Sequence, residues 1–438
     1  MNKILIHDGA ILTADGWHQR GYVWIEGDSF TSVGPGAPPP SFVTQADTVI
    51  DARHCAVLPG LRNGHTHFSQ TLMRGLAGGR PLLPWLKETI WPLQAALTPE
   101  DMRLAALLGL VENLRCGVTE VVDHHKITAT PAHTDAVCEA AATLGLRVTV
   151  ARAWADLGTG GESPDAILAD LERLFARWAR TTSGHPCVRI ANGPLALWRC
   201  SAGTLQRAHA LAKQYDSFTH VHVAETRDEV AMSLEMYGLR PIAWLDEIGV
   251  LDGATQLVHA VWVDEAEIGL LAERGATVVH CPVSNAVLGS GIAPVAALLR
   301  AGIPLRLGSD GPASNDTQDM FETLKAAVSF ARATAQDPTV LPPSQALSLA
   351  TGNKGIQPGV PADCIVVNLD HVRAMPVHDI TSALVLSTHG SDVRTVIVGG
   401  QILMKEGGER RRILGLDEAA LLDAAREAVV RLTLKAGS

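Results

Sequence analysis

The sequence lacks paired cysteines, an excess of basic residues and any long apolar run. Its 438 residues carry a formal net charge of −10, which argues against a nucleic-acid partner. It has no stretch of about 18 uninterrupted apolar residues, so we expect no membrane-spanning helix and no membrane partner. The seven cysteines form no C-x-x-C pair, which is typical of reduced thiols. The N-terminus shows no signal-peptide pattern, so we expect a cytoplasmic protein.

The hydrophobic pattern changes twice along the chain. Residues 1–58 alternate short apolar runs with glycine turns, which indicates a small β unit. Residues 59–361 hold eight strand-like runs that alternate with helical stretches such as 99–115 and 164–180, which is the pattern of an α/β fold, the (β/α)8 TIM barrel. Residues 362–438 return to short strands before a C-terminal helix. We predict that both termini build one small β-sandwich domain beside a metal-dependent barrel. The strand-like runs are the one at His65 and those at 119–123, 147–152, 188–192, 218–223, 256–259, 276–280 and 305–310.

Histidines gather where the predicted barrel strands end. In an extended strand, residues i and i+2 point to the same face, so His65 and His67 offer two imidazoles side by side. Barrel enzymes place their chemistry at the carboxyl ends of the strands. Imidazole and carboxylate groups suit Zn²⁺ or Fe²⁺. The polar residues at this edge are His65, His67, His222, His259, His280 and Asp310. The predicted metal ligands are His65, His67, His222 and Asp310.

Other polar residues near these strand ends allow two interpretations each. Glu225 comes just past the fifth strand, where its carboxylate is either a general acid/base or a helix N-terminal acid. Cys281, beside His280, is either a nucleophile or a small buried residue, and burial is favoured. His124 and His125 follow the second strand and either support the site or are loop histidines.

Five segments together resemble the amidohydrolase superfamily, specifically its mononuclear branch of cytosine and guanine deaminases and triazine hydrolases. They are His65-Thr66-His67, His222-Val223-Ala224-Glu225-Thr226, Leu257-Val258-His259, His280-Cys281-Pro282-Val283-Ser284-Asn285 and residues 308–316. The resemblance covers nearly the whole chain. It implies one divalent metal ion per chain, zinc with iron as the alternative, on the four ligands already named. It also implies a homo-oligomer.

The resemblance further implies a hydrolytic deamination. A water activated by the metal would attack a ring carbon that carries an amino group, and Asp310 would accept the water's proton. Glu225 would protonate the ring nitrogen and help to expel ammonia. His259 would stabilise the developing oxyanion by hydrogen bonding.

The segments around Gln70 and Trp85 are similar to deaminases of oxidised purines. The Gln70 amide can both donate to and accept from a lactam edge. Trp198 either stacks on a flat, oxo-rich ring, to which Arg199 would hydrogen-bond, or only packs within its loop. His280 completes the predicted substrate-binding set. We therefore expect a small heterocyclic substrate, an oxidised guanine-like or pterin ring, with isoxanthopterin first and 8-oxoguanine next.

Two other functions stay open. The same metal chemistry serves a triazine-type chlorohydrolase or another amidohydrolase, with halide instead of ammonia as the product. A non-catalytic barrel is disfavoured because the ligands and Glu225 are all present. Three connectors, near residues 126–131, 158–162 and 353–355, are shorter than the family's pattern, so either the chain is trimmed there or loop residues are absent from this sequence.

Overall fold

The computed structural model describes residues 2–125, 130–178, 187–407 and 410–436. Its strands belong to two separate sheets, one of nine strands and one of eight. In chain order they are β1 (Lys3–Thr13), β2 (Gly16–Glu26), β3 (Ser29–Pro35), β4 (Thr48–Asp51), β5 (Cys55–Pro59), β6 (Leu61–Thr66), β7 (Val118–His125), β8 (Arg147–Trp154), β9 (Val188–Pro194), β10 (Thr219–Val223), β11 (Thr255–His259), β12 (Thr277–His280), β13 (Leu305–Leu307), β14 (Cys364–Asn368), β15 (Val393–Val398), β16 (Gln401–Gly407) and β17 (Arg410–Ile413).

Strands from both ends of the chain form the nine-stranded mixed sheet. Its order is β17-β16-β15-β14-β5-β1-β2-β3, and β4 pairs with β1. Alternate residues of β1 and β2, among them Ile4, Ile6, Val23 and Ile25, are fully buried in one apolar core. The predicted union of the two termini is confirmed. Hydrogen bonds join all of these strands into a single sheet, where the sequence suggested a sandwich.

Eight parallel strands, β6 to β13, form the predicted barrel in sequence order. The chain closes the gap between its first and last strands where Asp310 N donates to His65 O at 2.9 Å. Glycine is required on both sides of this contact. A Cβ at Gly64 would lie 2.8 Å from Leu307 O. A Cβ at Gly308 would lie 2.9 Å from His65 N. The closure therefore sets the end of the last strand against the first histidine.

Helices alternate with the barrel strands and pack outside them. The helix α4 (Pro99–Arg115) begins in a capping box in which Thr98 and Asp101 satisfy each other's backbone N–H groups. None of the described helices is long and apolar enough to cross a membrane. The helices are α1 (Pro40–Gln45), α2 (Leu82–Trp85), α3 (Trp91–Ala95), α4 (Pro99–Arg115), α5 (Pro131–Leu144), α6 (Pro164–Trp178), α7 (Ala202–Gln214), α8 (Arg227–Tyr237), α9 (Pro241–Glu247), α10 (Glu265–Arg274), α11 (Pro282–Val287), α12 (Val295–Arg300), α13 (Pro312–Asn315), α14 (Met320–Ala335), α15 (Pro343–Thr351), α16 (Ile380–Leu386) and α17 (Glu418–Ala436).

A few bounds differ from the sequence prediction in ways that bear on the site. β7 continues through His125, so His124 and His125 are buried strand residues and the loop interpretation is wrong. β13 stops at Leu307, which leaves Asp310 on the turn that follows. The helix expected over 164–180 is seen as far as Trp178, and positions 179–180 lie outside the described residues, as do residues 126–129 of one short connector. Both explanations for the three short connectors, a trimmed chain or loop residues absent from this sequence, stay open.

Candidate metal centre and active site

Four side chains meet at the carboxyl end of the barrel with their donor atoms in contact. Asp310 Oδ1 lies 3.3 Å from His65 Nε2 and 3.3 Å from His67 Nε2. His222 Nε2 lies 3.3 Å from His67 Nε2. Ligand atoms about 2.0–2.1 Å from a tetrahedral zinc stand about 3.3–3.4 Å apart. The spacing of these four predicted ligands therefore fits a single zinc-sized cation.

The outer ring nitrogen of each predicted histidine ligand is engaged by a neighbouring group. The contacts are His65 Nδ1 to His220 Nε2 (2.9 Å), His67 Nδ1 to His124 O (2.7 Å) and His222 Nδ1 to Leu195 O (2.7 Å). A ring nitrogen that donates to such an acceptor leaves the lone pair on the opposite nitrogen, which is the tautomer a metal needs. All three imidazoles thus present Nε2 to the centre of the cluster.

Asp310 is held as an ionised carboxylate. Ser284 Oγ donates to its Oδ2 at 2.6 Å and Gly311 N donates to its Oδ1 at 2.6 Å. Burial raises the pKa of Asp310, but the hydrogen bond from His65 and the neighbouring histidine charges outweigh it and hold the pKa well below its usual range. The carboxylate is therefore available to bind a cation.

The donor atoms also fall into two overlapping groups within 4.8 Å of one another. One group is His65, His124 and His222, and the other is His65, His259 and Asp310. His124 Nε2 lies 3.1 Å from Gly193 O, an acceptor that competes with a metal for this nitrogen. His65 belongs to both groups, which makes it the central residue of the cluster.

Glu225 points into the site and does not cap the helix behind it. Thr226 is the N-cap of α8, and Glu229 completes its capping box. The Glu225 carboxylate instead accepts from Ser290 Oγ at 3.0 Å and lies 3.5 Å from His259 Nε2. The position of Glu225 therefore favours its interpretation as a general acid/base over that of a helix N-terminal acid, and the proton-transfer role stays a prediction.

The backbone at the reacting residues is strained. Ala224, His259, Ala260 and Asp310 all have positive φ angles, of 50°, 75°, 47° and 63°. Residues with a Cβ rarely adopt this conformation, and the cost is of the order of 1–3 kcal/mol each. Such strain concentrates at functional sites, where it aims side chains in directions that regular strands do not allow.

A pocket that is partly open to solvent adjoins the cluster. Among the predicted substrate-binding residues, Gln70, Trp85 and Trp198 line it. Gln70 Oε1 is buried with no partner among the described residues, so it can accept from a ligand. Trp85 Nε1 donates to Leu76 O at 2.9 Å, which fixes the orientation of its ring.

The structure does not bring Arg199 or His280 to the pocket wall. Arg199 Nε donates to Leu157 O at 2.8 Å and its Nη2 donates to Thr159 O at 2.9 Å, so its guanidinium is committed to a neighbouring loop. His280 is buried, and this burial, with the charge of His259, lowers its pKa to about 4. His280 is therefore a neutral ring beneath His259.

Cys281 is packed as a small buried side chain. Burial, followed by the charges of Asp310 and Glu225, raises its pKa well above the usual thiol value. The thiolate form needed for nucleophilic attack is therefore suppressed.

Two residues that act on the site were missed in the sequence: His220, which contacts His65, and Ser290, which contacts Glu225. Asn285 was expected only to shape the rim near His280, and in the structure it contacts His259. A signal existed only for His220, because His220-Val221-His222 repeats the i, i+2 spacing of the first histidine pair. Asn285 and Ser290 follow β12 at positions where only the tertiary fold reveals what they contact.

A (β/α)8 barrel with a histidine–aspartate cluster at the carboxyl ends of its strands defines the class of metal-dependent barrel hydrolases. The chain belongs to the amidohydrolase family, whose sequence model matches residues 56–403.

Three known proteins illustrate the similarity. The chain is 36% identical to 5-methylthioadenosine/S-adenosylhomocysteine deaminase of Syntrophomonas wolfei, over 99% of this chain and 100% of that protein. It is 37% identical to 5′-deoxyadenosine deaminase of Methanothermobacter thermautotrophicus, over 98% and 99% of the two chains. The crystal structure of a Xanthomonas campestris adenosine deaminase with bound zinc superposes with a TM-score of 0.91, at 31% identity and 99% coverage of both chains. The present chain is an amidohydrolase-type deaminase.

These comparisons do not support the expectation of isoxanthopterin or 8-oxoguanine as substrate. The named relatives are deaminases of adenosine derivatives. The physical reason lies in the position of Gln70, whose Oε1 would be 1.9 Å from a Cβ placed on Gly311. Gln70 therefore lies against the residue that follows Asp310, beside the metal cluster. A motif at this position reports on the metal cluster and does not identify the substrate ring.

Proposed function

We propose that this deaminase acts on adenosine-type nucleosides with a small apolar group at the 5′ position, and that it uses one zinc ion per chain. The names of the similar deaminases support the adenosine moiety. The observation that carries the proposal is the chemical character of the pocket wall.

The described part of the pocket wall contains no lysine or arginine. Its charged residues are Glu225, Glu229 and Asp310, which are all acidic. An oxo-rich ring such as isoxanthopterin or 8-oxoguanine needs several donors for its carbonyl oxygens, and an unpaired buried carbonyl costs about 1–3 kcal/mol. The adenine ring has no carbonyl, so its binding does not carry this cost, and we expect the pocket to bind adenine better than an oxo-rich ring.

The same wall selects the 5′ substituent. Its apolar members include Leu82, Leu83, Leu86, Trp91 and Leu288. A 5′-methylthio or 5′-deoxy group buries its carbon and sulfur atoms against such side chains, at about 25 cal/mol per Å². Among the described residues that line this wall, the carboxylate of S-adenosylhomocysteine meets no lysine or arginine. We therefore expect small apolar 5′ groups to be preferred.

The chain's own residues account for the proton transfers. Deamination adds the oxygen of water to C6 of adenine, breaks the C6–N6 bond and releases ammonia. When bound, zinc would supply the Lewis-acid activation of the attacking water. Glu225 takes one proton of that water to N1, and Asp310 accepts the other. This second proton passes through Glu225 to the N6 amine as the C6–N6 bond breaks, so that the oxygen remains on C6 as a carbonyl and ammonia leaves. His259 donates from Nε2 to the oxygen that develops negative charge at C6.

A substrate panel with zinc-loaded protein tests the proposal. The panel holds 5′-deoxyadenosine, 5′-methylthioadenosine, adenosine, S-adenosylhomocysteine, isoxanthopterin, 8-oxoguanine and a chlorotriazine, with ammonia, chloride and ultraviolet absorbance as readouts. We expect the highest kcat/KM for the first two compounds. A higher kcat/KM for isoxanthopterin or 8-oxoguanine, or chloride release from the triazine, would contradict the proposal.

A pair of variants tests the role of Glu225. Glu225→Gln keeps the size of the side chain and removes the transferable proton, so kcat should fall by about 10²–10⁴-fold with zinc content unchanged. Asp228→Asn is the matched control, because Asp228 is an exposed acid in the first turn of α8, the helix that follows Glu225. Full activity in Glu225→Gln would refute the proton-transfer role.

A further inference from the structure

One short segment contacts three of the reacting side chains. The segment Ser284–Ser290 comprises most of α11 and the turn that follows it. The contacts are Ser284 Oγ to Asp310 Oδ2 (2.6 Å), Asn285 Nδ2 to His259 Nδ1 (3.0 Å) and Ser290 Oγ to Glu225 Oε1 (3.0 Å). All three donors are buried, and Asn285 has no exposed surface. The segment therefore supplies one buried hydrogen-bonding side chain to each of three reacting groups.

We propose that Asn285 is a positioning residue that selects the tautomer of His259, so that Nε2 of this histidine always carries the proton on the substrate side. This inference rests on the roles proposed above for His259 and Glu225. It assigns a task to a residue that does not itself reach the pocket wall.

The tautomer follows from the two neighbours of the His259 ring. Asn285 Nδ2 is an N–H donor 3.0 Å from Nδ1, so Nδ1 must offer its lone pair. Glu225 Oε2 lies 3.5 Å from Nε2 and can only accept when ionised, so Nε2 must carry the hydrogen. The reverse orientation of the Asn285 amide would place the proton on Nδ1 and set two lone pairs, on Nε2 and Oε2, against each other.

The fold fixes Asn285 from both sides. Its backbone N–H donates to Cys281 O at 3.1 Å, and its carbonyl accepts from Ser290 N at 2.9 Å. The carbonyl of Ser290 in turn accepts from Trp262 Nε1 at 2.7 Å. The Arg227 guanidinium lies 4.1 Å over the Trp262 ring, which restrains the indole. These contacts hold the backbone of Asn285 in place beside His259.

Two substitutions of Asn285 separate positioning from packing. Asn285→Asp keeps the volume but turns the donor into an acceptor, so His259 should acquire a proton on Nδ1. Asn285→Leu removes the interaction, so the proton should distribute between the two nitrogens. Val287→Ala is the matched control, since Val287 lies on the same helix with its side chain exposed.

The decisive measurement is nitrogen-15 NMR of zinc-loaded protein with labelled histidine, in which a hydrogen-bearing ring nitrogen and a bare one have well-separated shifts. The His259 signals are identified by their loss in His259→Asn. We expect a bare Nδ1 and a hydrogen-bearing Nε2 in the wild type and in Val287→Ala, and a hydrogen-bearing Nδ1 in Asn285→Asp. Because this readout needs no substrate, it stays informative even if the substrate proposal fails.

Kinetics give an independent readout. We expect kcat to fall by about a hundredfold or more in both Asn285 variants, with KM nearly unchanged, because a misdirected proton affects the reaction and not binding. A proton on Nδ1 in the wild type, or ring-nitrogen signals unaltered in Asn285→Asp, would overturn the inference. If Asn285→Leu fails to fold, Asn285→Asp carries the test alone.

Discussion

Replacing His220 by leucine is expected to weaken zinc binding although His220 is not a predicted ligand. His220 Nδ1 lies 3.3 Å from Gln256 Oε1, to which it donates, so its Nε2 accepts from His65 Nδ1 at 2.9 Å. Burial, and then the charges of His65 and His124, hold the pKa of His220 well below its usual range. His220 is therefore a neutral acceptor that keeps the proton of His65 on the side away from the metal.

The size of the effect follows from the burial of the pair. Neither His65 nor His220 has exposed surface. Without metal, His65 in the variant can move its proton to Nε2 and donate to Asp310, but metal binding forces the proton back to Nδ1, which has lost its hydrogen bond to His220. Removing the acceptor of a buried hydrogen-bond donor costs about 1–3 kcal/mol. At about 1.4 kcal/mol per factor of ten, zinc affinity should fall about 5- to 150-fold.

The assay is a competition titration of zinc between the protein and a chromophoric chelator. His209→Leu is the matched control, because His209 is also buried but its Nδ1 bonds Thr219 Oγ1 at 2.9 Å, away from the cluster. His220→Gln, which retains an acceptor oxygen, should recover part of the affinity. Wild-type zinc affinity in His220→Leu, with both variants folded, would refute the reasoning.

Two further predictions concern stability. Gly308→Ala should cost about 1–3 kcal/mol or more, because its Cβ would meet His65 N at 2.9 Å and rigid backbone cannot yield; urea unfolding measures this. Gly269→Ala is its control, since that Cβ meets nothing within 4 Å and should raise the free energy of unfolding slightly. Burial raises the pKa of Asp123 to about 7, although the hydrogen bond from the Phe68 N–H lowers it in part. The protonated carboxyl therefore stabilises the folded state below pH 4, and this stabilisation is lost as the pH rises through 7. Unfolding of Asp123→Asn by urea between pH 4 and 8 should show a smaller fall in stability than the wild type, and an equal fall would count against the argument.

The barrel and the ligand set could be predicted because they follow from local patterns. Strand and helix periods recur along the chain, and the His65 and His67 side chains share a face by strand geometry alone. Asp310 was found from its place after the last strand, although β13 ends earlier than predicted. Such features depend on neighbours in sequence, so a sequence reveals them.

The residues that tune the site could not be predicted in the same way. His65 and His220 are 155 positions apart, and their contact exists only because β6 and β10 face one another across the barrel. Arg199 was predicted to bind substrate from its residue type, yet the fold directs its guanidinium to Leu157 and Thr159. Residue type gives the chemistry available, and the position of the backbone decides where it is used.

The sequence by itself therefore determined the barrel and predicted the histidine–aspartate cluster, since both follow from spacing along strands, and the family resemblance added the proposed role of Glu225. Only the tertiary structure supplied the contacts from which we infer the direction of the His259 proton, and only it showed which apolar side chains line the pocket. Both depend on distances of a few ångströms between segments far apart in the chain, and a hydrogen bond or an apolar contact is lost beyond that range.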